Sequence, residues 1–123
     1  MSARVLIVED EFFIALDIAQ QLAEAGFEVV GTAPSVAKAL SIVAQPGCDV
    51  AVLDVNLGGE TSEPVARKLR EDNKPFVVLS GYSTDNKLPW FGGATVLSKP
   101  LRMDDLVAAL RGCFEASDES RRM

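Results

Sequence analysis

The chain has 123 residues, 48% apolar and 24% charged, and its 12 Lys and Arg against 18 Asp and Glu leave a formal net charge of −6. That is the make-up of one globular domain over 1–123, without signs of disorder or a disulfide scaffold. The acidic balance argues against direct nucleic-acid binding, which needs a positive surface to displace counterions. Histidine is absent, which excludes Ser-His-Asp and Cys-His catalysis, histidine-based metal or haem sites and a phosphohistidine carrier.

Met1-Ser2-Ala3-Arg4 leads into only a short apolar run, too short for a signal peptide or a membrane span, so the expectation is a cytoplasmic domain with no membrane insertion. Val5-Leu6-Ile7-Val8 reads as a first strand that ends abruptly at Glu9-Asp10-Glu11. A helix is predicted from Phe12 to Ala25, with Gly26 placed to stop it. Phe27 to Thr32 reads as a second strand. Ser35 is positioned to cap a helix carrying Val36, Ala39, Leu40 and Val43, which Pro46-Gly47 ends. Cys48 and Cys113 stand alone and read as free thiols of a reducing compartment.

Asp49 to Asp54 is the third predicted strand, apolar inside and acidic at its end. Gly58-Gly59 makes a turn. Ser62 or Thr61 then caps a helix with Pro64 in its first turn, running to about Asp72. Phe76 to Leu79 and Ala94 to Leu97 read as fourth and fifth strands, and Asp104 or Asp105 opens a last helix through Phe114. Residues 117–123 are polar and read as a flexible tail. Apolar runs without alternation indicate strands buried on both faces, and intervening helices make right-handed crossovers. The expected fold is α/β: a doubly wound, five-stranded parallel sheet with about five helices on both faces, flavodoxin-like in size.

In such folds ligands sit at the carboxyl ends of the strands. Strand one ends in Glu9-Asp10, strand three in Asp54, strand four in Ser80 and strand five in Lys99-Pro100. Each alone is an unremarkable solvated strand end. Gathered in one crevice, the carboxylates repel, at about 4 kcal/mol for two unit charges 4 Å apart at an effective dielectric of 20. A hard divalent cation relieves that repulsion, and Mg²⁺ suits an open site of two or three carboxylates. Carboxylate, Mg²⁺, ammonium and hydroxyl together are a phosphoryl-transfer set. Asp54 is the candidate nucleophile, forming an aspartyl phosphate; Glu9 and Asp10 hold the metal, Lys99 pairs with a phosphoryl oxygen and Ser80 hydrogen-bonds another. Neither a P-loop nor a dinucleotide fingerprint is present.

Val5-Leu6-Ile7-Val8-Glu9-Asp10-Glu11, Val52-Leu53-Asp54-Val55-Asn56-Leu57, Leu79-Ser80-Gly81 and Leu97-Ser98-Lys99-Pro100 resemble, in order and over essentially the whole chain, the receiver domain of two-component response regulators. The resemblance implies that Asp54 is the phosphoacceptor, that the Asn56 backbone carbonyl completes the protein ligands of Mg²⁺, and that the Lys99-Pro100 bond is cis. It also implies a sensor histidine kinase or histidine phosphotransfer protein as phosphodonor and an unidentified effector protein downstream. Lys74-Pro75-Phe76-Val77-Val78-Leu79-Ser80-Gly81-Tyr82 is similar to the single-domain regulators with a Phe-Ala-Thr-Gly-x-Tyr signature, with Ser80 in place of the threonine.

Three departures from that family stand out. Leu57-Gly58 replaces the usual Met-Pro and is expected to loosen the loop while leaving the Asn56 carbonyl available. Val96 replaces the strand-five aromatic residue, so an aromatic switch cannot operate there; Tyr82 is a candidate substitute, with simple packing over the site entrance to screen water as the alternative. The segment from Tyr82 to Ala94, broken by Pro89, Gly92 and Gly93 and carrying Trp90, is a candidate switch and partner surface, with a plain loop anchored by Trp90 as the alternative. Pro100 and Phe13 belong to the same candidate surface. One of Phe12 and Phe13 is expected in the core and the other on the first helix, which in receivers docks the phosphohistidine partner.

The expected function is a stand-alone, non-enzymatic phosphoacceptor that switches partner binding, or a phosphate shuttle or sink without its own effector. A Mg²⁺-dependent small-molecule phosphatase is disfavoured, because Asn56 stands where Asp-x-Asp chemistry needs its second aspartate. An interaction module that is never phosphorylated is disfavoured by the complete acceptor set.

Overall fold

In the computed structural model the described residues are 3–81 and 94–122, with side chains as far as 114. In chain order they form β1 (Arg4–Val8), α1 (Phe12–Glu24), β2 (Glu28–Ala33), α2 (Val36–Val43), β3 (Val50–Asp54), α3 (Glu63–Glu71), β4 (Phe76–Ser80), β5 (Thr95–Ser98) and α4 (Met103–Arg122). The strands make one sheet in the order β2-β1-β3-β4-β5, and every neighbouring pair is parallel. The all-parallel sheet of five strands is that of the expected doubly wound fold; four of the about five expected helices lie among the described residues, and the β4–β5 connection lies outside them. Tyr82, Trp90 and the rest of the 82–93 segment lie outside the described residues.

The sheet is covered on both sides, and the side chains of each strand divide between two cores. Leu6, Val8, Ala51, Leu53 and Val78 pack with Ala39 and Val43 of α2 and Val65, Ala66 and Leu69 of α3. Val5, Ile7, Val50, Val52, Val77 and Leu79 pack with Ala15, Ile18 and Leu22 of α1 and Leu106 and Leu110 of α4. This is the period-two alternation of a strand with both faces buried, and it explains the unbroken apolar runs of β1, β3 and β4. The edge strands are less covered: Thr95 and Ser98 of β5 and Glu28, Val30 and Thr32 of β2 are exposed.

Local signals set the element ends. The Ser35 hydroxyl accepts from the Lys38 amide at 3.2 Å and caps α2. Gly26, just past α1, has φ +98°, the left-handed conformation that glycine supplies after a helix. At α3 the expected choice between Thr61 and Ser62 resolves unevenly. Ser62 holds the cap position, but its hydroxyl is buried and makes no cap bond, while Thr61 Oγ1 accepts from the Glu63 amide at 3.4 Å. β2 and β5 each begin one residue later than expected. α4 begins at Met103, so Asp104 and Asp105 lie inside its first turn, where they complement the helix dipole rather than cap it. Its backbone is helical to Arg122, past the Ser117 at which the sequence turns polar.

The expectation that one phenylalanine of α1 enters the core is corrected. Phe12 and Phe13 are 70% and 78% exposed. The face of α1 that meets the sheet is Ala15, Ile18 and Leu22, and at about 100° per residue Phe13 stands roughly opposite Ala15. Phe12 packs edge-on against Phe13 instead, with ring centroids 5.4 Å apart.

Candidate functional site

The order β2-β1-β3 means that the chain leaves β1 toward one sheet edge and returns through β3 on its other side. The carboxyl ends of β1 and β3 flank that switch point. Val8 pairs with Leu53 in the ladder, so Glu9 follows β1 at the level of Asp54. The Glu9 amide donates to the Ala33 carbonyl at 3.0 Å, which ties the start of this connection to β2. One carboxylate oxygen from each of Glu9, Asp10 and Asp54 lies within 4.8 Å of the others. Glu9 and Asp54 are buried and Asp10 is exposed.

On the other flank, β4 and β5 pair Ser80 with Ser98, and the Lys99 amide donates to the Ser80 carbonyl at 2.8 Å. Lys99 therefore leaves the sheet beside β4, and its Nζ lies 2.9 Å from Asp54 Oδ2. Ser80 is buried at the same sheet edge, and the Lys99-Pro100 bond is cis. The structure thus brings together Glu9, Asp10, Asp54 and Lys99 as the strand-end argument requires, with Ser80 on the adjoining strand. Pro100 is exposed beyond Lys99, and Asn56 is exposed in the connection after β3.

Two titrations are displaced by this crowding. Burial first, then the neighbouring Asp54 carboxylate, push the Glu9 carboxyl up to about 8, against the smaller opposing pull of the Glu11 amide and Lys99. Partial burial disfavours the Lys99 ammonium, but Asp54, with Glu9 and Asp10 adding, outweighs it and holds Lys99 above the usual lysine range.

The donor set fits Mg²⁺. Glu9 Oε1 accepts from the Glu11 amide at 3.2 Å, whereas Glu9 Oε2 is buried with no hydrogen-bond partner among the described residues. A buried carboxylate oxygen left without a donor is costly. Here it belongs to a cluster of three hard oxygen donors, the class that Mg²⁺ takes.

The connection from β3 to α3 was only partly legible. Leu57-Gly58 was expected to loosen it; the connection is instead closed. Asn56 bridges Thr61 in antiparallel fashion, and the Leu57 amide donates to the Glu60 carbonyl at 2.7 Å. Gly58 and Gly59 between them have φ +60° and +100°, the positive pair that a type I′ hairpin turn demands. The Leu57 side chain is buried in the α2–α3 core, and Glu60 Oε2 accepts from the Val36 amide at 3.3 Å, at the start of α2. The signal was the double glycine, which the sequence marks as a turn without giving its partners.

Residues 5–111 match the response regulator receiver domain. The chain is similar to the transcriptional regulatory protein PdtaR of Mycobacterium tuberculosis, 31% identical over 111 residues that cover 87% of this chain and 54% of that protein. It is also similar to the transcriptional regulatory protein YvrH of Bacillus subtilis, 30% identical over 124 residues that cover 98% of this chain and 52% of that protein. It spans about half the length of these curated relatives. The solution structure of SdrG from Sphingomonas melonis is 42% identical with a TM-score of 0.79, covering 92% of this chain and 97% of that one. Fold, acidic cluster and sequence agree, and the chain belongs to the response regulator receiver domain family.

Proposed function

We propose that this receiver accepts a phosphoryl group on Asp54 from a phosphohistidine of a sensor histidine kinase or histidine phosphotransfer protein, and thereby changes its binding to an effector protein. The observation that carries the proposal is the Lys99 ammonium 2.9 Å from Asp54 Oδ2, beside the carboxylates of Glu9 and Asp10. A carboxylate oxygen of Asp54 attacks phosphorus; the new O–P bond forms as the N–P bond breaks, and the electron pair returns to the partner's imidazole. Lys99 shields the acceptor's charge before transfer and pairs with a phosphoryl oxygen after it, while Ser80 donates its hydroxyl to another. Glu9, Asp10, Asp54 and the Asn56 carbonyl would hold Mg²⁺, which when bound neutralises charge on the transferring group.

The partner-facing surface we assign comprises Phe13, its exposed neighbour Phe12 on α1, and Pro100; Tyr82 and Trp90, the other candidates, lie outside the described residues. A stand-alone role in the cytoplasm is the reading we favour. Its support is that the matched SdrG chain is spanned over 97% of its length, and the net charge of −6 disfavours nucleic acid as a direct partner. The chemistry is tested by incubating the chain with a histidine-phosphorylated, radiolabelled phosphotransfer domain. Label should pass to this chain in Mg²⁺ and stay on the donor in excess chelator. Label that never leaves any of a panel of such donors would contradict the reading.

A further inference from the structure

The hairpin after β3 gives the Asn56 carbonyl a direction. Asn56 and Thr61 pair without bonding each other, between the Leu57 amide on the Glu60 carbonyl at 2.7 Å and the Ser62 amide on the Val55 carbonyl at 3.0 Å. In such a pair each residue turns its own N–H and C=O away from the opposite arm. Val55, one residue earlier, donates its amide to Leu79 on the β4 side. Backbone groups alternate along an extended chain, so the Asn56 carbonyl faces the β1 side, where Glu9 and Asp10 follow the strand. Among the described residues no backbone amide takes it.

The two arms of the hairpin are held differently. Leu57 fixes the outgoing arm in the core between α2 and α3. On the return arm, Glu60 Oε2 accepts from the Val36 amide at 3.3 Å. Val36 opens α2, and its amide is one that a helix start leaves without an intrahelical partner. A carboxylate there also meets the positive end of the helix dipole. Ser35 serves the same helix start independently, through the Lys38 amide.

We propose that Glu60 is a positioning residue for the metal site: by bonding the return arm of the hairpin to the start of α2, it holds the Asn56 carbonyl toward Glu9, Asp10 and Asp54. The proposal rests on the receiver reading above, in which that carbonyl is a ligand, and deepens it by naming a residue that acts through Asn56 without touching the metal. Without the tether the return arm parts from α2 and the carbonyl loses its fixed direction, while Leu57 keeps the hairpin in the core. Two controls isolate the tether. Glu60→Gln keeps an acceptor oxygen for Val36 and removes only the charge, and Ser35→Ala weakens the start of α2 without touching the hairpin.

The test is calorimetric titration of Mg²⁺ into the chain as wild type, Glu60→Ala, Glu60→Gln and Ser35→Ala, with each melted in chelator to establish that it is folded. Glu60→Ala should bind Mg²⁺ about fivefold or more weakly, the lower end of ordinary coupling between sites, and the two controls should stay within about twofold of wild type. Equal weakening by Glu60→Gln would overturn the proposal in favour of simple charge attraction. Equal weakening by Ser35→Ala would overturn it in favour of a general loosening of α2. Wild-type affinity in Glu60→Ala would overturn it while leaving the receiver reading intact. Absence of Mg²⁺ binding by wild type would overturn the metal site, and the proposal with it.

Discussion

Two connections leave the carboxyl edge of the sheet side by side, and they divide the labour of the site. The one after β1, Glu9 to Glu11, is short and carries charge: a buried glutamate, an exposed aspartate and a helix start with no side-chain cap. The one after β3, Val55 to Ser62, brings no carboxylate into the cluster but is a closed hairpin tied to the core by Leu57 and to α2 by Glu60. The first brings carboxylates into the cluster, and the second adds a hydrogen-bonded turn beside it. Chemistry and geometry are separable here, so each can be disturbed with the other left largely intact.

The largest stability effect should come from the hairpin. Leu57→Ala empties a core position 3% exposed, and a loss of about 2–5 kcal/mol is expected in chemical unfolding. If the loss stays under about 0.5 kcal/mol, the range of ordinary surface substitutions, the hairpin is not anchored as described.

A second disturbance acts on charge. In metal-free protein the unfolded chain releases the Glu9 proton near 4.5, whereas the folded chain keeps it to about 8. Across that window the folded state binds more protons, so stability falls as pH rises from about 4.5 and levels off above about 8. Glu9→Gln removes this slope, and in chelator at alkaline pH the variant should melt above wild type. Mg²⁺ added to wild type at that pH should recover the difference, and a melting profile in chelator parallel to that of the variant would count against a raised Glu9.

The smallest effect on folding is expected at α1. Phe13→Ala should change stability by less than about 0.5 kcal/mol, because the ring is 78% exposed. It should still slow phosphoryl uptake from a protein donor relative to uptake from acetyl phosphate. Equal slowing with both donors would place the defect in the site rather than on the docking face.

The same division explains what could be read from the sequence. Glu9, Asp10 and Asp54 were legible because they close continuous apolar runs, and Lys99 because it follows the short strand Thr95–Ser98; in a parallel sheet the end of a strand is an address. The closed hairpin after β3 was not legible, because the sequence marks Gly58-Gly59 as a turn without naming what the turn pairs. Phe12 and Phe13 misled for a different reason. Hydrophobicity favours burial on average, but the helical phase set by Ala15, Ile18 and Leu22 turns Phe13 away from the sheet. At α3, Thr61 and Ser62 looked interchangeable as caps, and only backbone geometry decided which hydroxyl reaches the Glu63 amide.

The central claim is that Asp54 is a phosphoacceptor served by a metal-holding acidic cluster. Intact-mass measurement after incubation with acetyl phosphate tests it most directly, comparing wild type in Mg²⁺, wild type in chelator and Asp54→Asn in Mg²⁺. The account predicts one added phosphoryl group in the first sample and none in the other two. Addition to Asp54→Asn as complete as to wild type, or no addition to wild type in Mg²⁺, would contradict it.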